Sequence, residues 1–198
     1  MCVFTGDRFT AIKMYNWLFI IVHMPCSGTD QRENLYRDIL LELQVLVNEH
    51  YECNYCLIGG AFNIDLNCNS SLSQTVNVFI CLNKMNRCDV IFPAGNRNTH
   101  FNDANNSSSA IVYMVTTSPS DVIAFNILDM DTNSSDHSPI MALCACDVAH
   151  AEMCDPSESI TSVMTSLTCG GTMILLDYIT STRGVLANLC CTVSVQFK

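Results

Sequence analysis

Residues 57–65 read Leu-Ile-Gly-Gly-Ala-Phe-Asn-Ile-Asp, and residues 135–139 read Ser-Asp-His-Ser-Pro. The first segment is an apolar run followed by Gly59-Gly60, a pattern that predicts a short buried strand ending in a tight turn. Such a turn delivers Asn63 to the carboxyl edge of the strand, where a side-chain amide can meet a phosphate. Asp136 and His137 add a carboxylate and an imidazole suited to the same chemistry. Ala61 stands where that chemistry wants a second carboxylate.

The rest of the chain reads as alternating strands and helices. Residues 8–13 and 17–25 predict two strands, the second stopped by Pro25. A helix is predicted over 31–48, with Asp30 and Glu33 as a capping box and Leu35, Ile39, Leu43, Leu46 and Val47 as one apolar stripe. Residues 55–58 form the strand before the glycines, and 73–85 a second helix with Val76, Phe79 and Ile80 on one face. Further strands are predicted over 88–92, 110–116, 122–128 and 140–146, with a polar loop over 96–109 around a short strand at 99–101. Residues 129–136 are acidic, residues 147–162 read as a linker or surface helix around Asp155-Pro156, and the apolar runs of 164–198 match no motif.

Composition limits the partners. A chain of 198 residues with 49% hydrophobic content is long enough to bury one substantial core. Nine Lys and Arg against 19 Asp and Glu give a formal charge of -10, the wrong sign for a surface that tracks a polyanion. Thirteen cysteines without regular spacing point to buried, reduced thiols and an intracellular location, cytoplasmic or nuclear. The run 17–24 follows Arg8 and Lys13 as a signal-peptide core would. It is too short to cross a membrane, and Ser27, Gly28 and Thr29 after Pro25 account for it as a strand and turn. Cys53-x-x-Cys56 has metal-ligand spacing but no second pair to complete a set, His50 and His100 have no partner in view, and Cys144 and Cys146 should share a core-facing side.

The two motifs, in order with residues 109–116 and the strand ending Val22-His23-Met24-Pro25, resemble the endonuclease/exonuclease/phosphatase superfamily over about residues 7–146. The style is that of the endonuclease domain of LINE-type retrotransposons. The resemblance implies a partial four-layered α/β sandwich, with two mixed β-sheets packed face to face and helices outside. It also implies a domain over residues 1–146 that lacks the family's first strands, and an unassigned carboxyl-terminal extension over 147–198.

The family's motifs are Gly-Asp-Phe-Asn, Val-Tyr-x-Pro, Ile-Asp-Tyr and Ser-Asp-His. By that likeness Asn63 takes the nucleophile-positioning role, His137 the phosphate contact, Asp136 a catalytic and metal-binding place, and His23 the place of the assisting Tyr. Mg2+ or Mn2+ is the implied cofactor and DNA the implied partner, against the acidic charge. Ala61 replaces the motif Asp, and Val112 in Ile111-Val112-Tyr113 replaces the Asp that orients the imidazole. The family's metal-binding Glu and early Asn have no counterpart, because the likeness begins near Arg8. An inactive endonuclease-like domain is therefore expected. The alternatives are a live phosphoesterase with a rearranged site that also uses Asp65, and a non-catalytic binding or scaffold module. A sheet left without its first strands also exposes an edge, which favours self-association.

Overall fold

Every residue of strand β3 (Trp17–His23) except His23 is buried, so its apolar run needs cover on both faces. The computed structural model describes residues 2–14, 16–93, 97–102, 104–128, 136–146, 162–169, 172–181 and 188–197, with residues 2 and 146 and the last three stretches as backbone alone. In it β3 lies between β2 (Phe9–Met14), antiparallel, and β4 (Tyr55–Ala61), parallel. Strand β1 (Cys2–Thr5) forms one edge of this six-stranded sheet, with Val3 49% exposed. On the other side of β4 come β8 (Val112–Thr116) and the two-residue β5 (Asn86–Arg87).

Side-chain alternation divides the core in two. Leu18, Ile20, Val22, Ile58, Tyr113 and Val115 pack in one cluster with helices α1 (Arg32–Glu49) and α2 (Ser71–Leu82). Trp17, Phe19, Ile21, Leu57, Val112 and Met114 pack in the other, against Phe125 of β9 (Val122–Ile127) and Ile140, Ala142 and Cys144 of β10 (Ile140–Cys146). These two strands belong to a five-stranded sheet ordered β11 (Ser162–Cys169), β12 (Thr172–Ser181), β13 (Asn188–Phe197), β10, β9. The chain is thus an α/β sandwich of helices, sheet and sheet. The first sheet is mixed through its β3–β4 pair, and the second is antiparallel throughout. Residues 162–197, which match no motif, pair through β13 with β10; Asp155-Pro156 and the acidic run up to residue 135 lie outside the described residues.

Several local expectations are corrected. Gly59 and Gly60 continue β4 instead of forming a turn, because a Cβ on Gly60 would stand 2.0 Å from the Val22 carbonyl oxygen. The turn follows Ala61, with Asn63 at φ 53°. No capping box forms at Asp30 and Glu33: Gln31 caps α1 at φ 50° without a side-chain bond. Arg32 anchors that entry instead, donating to the carbonyls of Pro25 (3.1 Å) and Asn63 (2.6 Å), while Glu33 accepts from Ser71 Oγ at 2.8 Å. The capping box belongs to α2, where Ser70 and Ser73 exchange bonds of 3.1 and 2.9 Å. The stripe of α1 is rotated toward Tyr36 and Leu40, which are buried, and away from Leu35, which is 36% exposed. Residues 88–91 form a short helix, α3 (Cys88–Ile91), because the part-buried Arg87–Asp89 pair (2.6 Å) turns the chain after β5. Of the thiols, Cys56 and Cys88 are buried, but Cys26, Cys68 and Cys81 are exposed; the side chain of Cys146 lies outside the description.

Candidate functional site

The register of the first sheet sets three residues in a row. His23 pairs with Ala61 across β3 and β4, and Ala61 with Val112 across β4 and β8. Strand alternation puts all three on the face that meets the second sheet, alongside Ile21, Leu57 and Met114. Ala61 and Val112 are 1% and 2% exposed, so the two positions where the motifs carry aspartate are sealed apolar ground. His23 keeps its ring at 3.5 Å from the Arg8 guanidinium (Nδ1 to Nη1). Burial first, and Arg8 second, hold its imidazole below the usual pKa.

Asp136 and His137 reach this end of the sandwich by pairing with a polar hairpin, β6 (His100–Asn102) and β7 (Ser107–Ser109). Phe101 N–H donates to the Asp136 carbonyl (2.8 Å), Ser138 N–H donates to the Thr99 carbonyl (2.9 Å), and His100 and His137 form a bridge between these bonds. Thr99, itself buried, ties the hairpin to the row: its Oγ1 accepts from the N–H groups of Ile111 (3.0 Å) and Val112 (2.9 Å). As a result His100 has a setting that its sequence context did not suggest. Its Nε2 lies 3.4 Å from Asp136 Oδ2, and His137 Nε2 lies 3.6 Å from Asp136 Oδ1. The two rings stand edge to face with centroids 5.0 Å apart.

Burial lowers the His137 pKa; Asp136 opposes this, while His100 and His23 add to it. His23 and His137 are therefore within electrostatic reach of each other. Folded-state values below the free value of 6.5 mean that the unfolded chain binds more protons. Stability from these neutral imidazoles is full above about pH 6.5 and is lost as pH falls through the lowered folded values. Urea denaturation at pH 7.5 and pH 5.5, with a chelator present, should show the loss. His23→Gln and His137→Gln should each shrink the difference, and an unchanged pH dependence in both would refute the assignment.

Asn63 is placed otherwise. Its side-chain amide donates to the Met24 carbonyl at 2.6 Å, and its own N–H donates to Ile111 O at 3.1 Å. These bonds hold the left-handed turn after β4 against the end of β3. Asn63→Ala should cost about 1–3 kcal/mol, from the orphaned carbonyl and from the left-handed backbone. Asn63→Gly, which loses the bond but suits the backbone, should cost less; equal melting temperatures for the two variants would contradict this account. Asp65 accepts from Asn67 N–H (2.9 Å) and the Tyr113 hydroxyl (3.3 Å). Tyr113 faces the helices, so Asp65 belongs to the other side of the sheet from the His23–Ala61–Val112 row.

The other candidates sit elsewhere. A concavity of about 470 Å³ lined by Leu18, Val47, His50, Tyr51, Cys53 and Cys56 lies at the amino ends of β3 and β4, away from His23 and Ala61. Burial raises the thiol pKa values of Cys53 and Cys56, which opposes both nucleophilic and metal-binding roles.

No protein-family profile and no curated protein matches the sequence. Solved structures do match. A 3′ phosphatase from Neisseria, bound to a product DNA hairpin, gives a TM-score of 0.54 at 14% identity over 68% of this chain and 63% of its own. The chain shares that protein's fold. Endonuclease/exonuclease/phosphatase family proteins from Leptotrichia buccalis (TM-score 0.49, 14% identity, 67% of this chain and 50% of that) and Bacteroides thetaiotaomicron (0.43, 13%, 92% and 50%) also match. The chain therefore spans 63% of the phosphatase structure and half of each of the other two. Among the described residues, no helix is long and apolar enough to cross a membrane.

Among the described residues, the ligand set is a poor fit to Mg2+ or Mn2+, the ions that the resemblance implies. A hard cation takes oxygen ligands, and the cluster offers one carboxylate, Asp136, beside two imidazoles. Ala61 and Val112 supply no oxygen from their side chains, and Asp65 faces away.

Proposed function

We propose that this chain is an endonuclease/exonuclease/phosphatase-type domain, related to the LINE-type retrotransposon endonucleases, that has lost phosphodiester hydrolysis. In this reading residues 1–146 carry the domain, and within the following segment the strands β11, β12 and β13 extend its second sheet. The row His23–Ala61–Val112 carries the reading. Hydrolysis needs a carboxylate to hold or activate the attacking water and a second one to orient the imidazole that meets the phosphate. The resemblance assigns those places to Ala61 and Val112, both buried and apolar, in the row whose His23 lies within electrostatic reach of His137. Groups that act as a unit lose several orders of magnitude of rate when one is removed, and here two are replaced.

A negative charge of 10 leaves little affinity for a DNA backbone without a cation to bridge it. The purified chain, incubated with supercoiled plasmid and Mg2+ or Mn2+, is expected to nick no faster than its His137→Ala variant. Metal-dependent nicking that disappears in His137→Ala would overturn the proposal in favour of an active phosphoesterase with a rearranged site.

A further inference from the structure

We infer that His100, His137 and Asp136 form a binding site for a zinc-type transition-metal dication. Their ligand atoms all lie within 4.8 Å of one another. Four-coordinate zinc, with bonds of about 2.0–2.2 Å, separates neighbouring ligand atoms by about 3.3 Å. The two imidazole-to-carboxylate separations, 3.4 Å from His100 to one carboxylate oxygen and 3.6 Å from His137 to the other, place both rings beside the same carboxylate at close to that spacing.

Three further features favour a built site. The imidazoles are carried on paired backbone segments, held on both sides of the His100–His137 bridge by the Phe101–Asp136 and Thr99–Ser138 hydrogen bonds. The remaining ring nitrogen of His100, Nδ1, lies 3.5 Å from Ser109 Oγ, the outer-shell contact that orients a metal-binding imidazole. The imidazole side chains are 22% and 18% exposed, whereas Asp136 is 62% exposed, so a bound ion would be shielded by the rings and open to water or a small anion on the carboxylate side. Two nitrogens and one oxygen select Zn2+, Co2+ or Ni2+ over Mg2+. The inference does not depend on the loss of hydrolysis, since a site of this kind binds metal whether or not plasmid is nicked.

The test uses the full chain, stripped with a chelator and titrated with Co2+ and then with Zn2+. One equivalent of Co2+ is expected to give visible bands of a low-coordinate nitrogen and oxygen site, displaced by Zn2+ but not by millimolar Mg2+. His100→Gln and Asp136→Asn should each weaken binding at least tenfold; the exposed Asp136 makes the second substitution safe for folding, which far-ultraviolet circular dichroism checks. Thiolate-to-cobalt charge-transfer bands as the sole signal would assign the metal to cysteines and overturn the inference. Displacement by Mg2+, absence of binding, or undiminished affinity in both variants would do the same.

Discussion

Alanine at position 60 is expected to leave the protein unfolded. The added methyl would meet backbone: the Val22 carbonyl oxygen at 2.0 Å, with the Val22 carbon and nitrogen at 3.0 Å. Side chains yield to such a contact by rotating, but β3 can yield only by separating from β4, and β4 is held on its other edge by β8. Gly60 also sits at φ 143°, where an L side chain adds strain. The combined cost should exceed about 4–5 kcal/mol, a large share of the roughly 5–15 kcal/mol that holds a domain together. Gly28→Ala is the matched control. It shares a positive φ (87°) but meets nothing within 4 Å, so only the backbone term remains, about 1–2 kcal/mol. Soluble yield and thermal melting of both variants decide the matter, and a cooperative melt of Gly60→Ala near that of the parent chain would show that the two strands can separate locally.

Trp17→Ala should cost about 3–5 kcal/mol, the range for removing a large aromatic from a filled core. The side chain is fully buried and stacks on Phe19 at 5.3 Å with rings 6° from parallel. It also meets Tyr55 at 5.0 Å. Its indole N–H crosses between the sheets to donate to the Ala145 carbonyl of β10 at 3.1 Å. Trp17→Phe keeps a ring while leaving that carbonyl without its donor, and should cost less, about 1–3 kcal/mol. Chemical denaturation of the two variants separates packing from the hydrogen bond between sheets. A loss below about 1 kcal/mol in Trp17→Ala would mean that the first and second sheets are not coupled through this residue.

Much of the architecture was legible because it is local. The fully apolar 17–22 run, the helix that follows it and the apolar 140–146 run each state their own element through periodicity and length. The failures have a shared cause. A Gly-Gly pair reads as a turn until a neighbouring strand is known to pass so close that no Cβ fits. Asp30 with Glu33 reads as a cap until Arg32 is seen bound to two carbonyls from other segments, and residues 88–92 read as a strand until a part-buried ion pair turns them.

At the site the division follows the same line. Sequence alone singled out Asn63, Asp136, His137 and His23 as candidates, and put apolar Ala61 and Val112 where the resembling motifs carry aspartate, because residue identity at a motif position needs no coordinates. Tertiary structure decided which of them meet. Strand register set His23, Ala61 and Val112 in one row, the bond to helix-facing Tyr113 held Asp65 on the opposite side, and a hairpin pinned by Thr99 brought His100 to Asp136 and His137. Register and face follow from pairing between distant segments, and a one-residue shift would reverse every side chain. Chemistry can therefore be read along the chain, but its geometry exists only once the strands have paired.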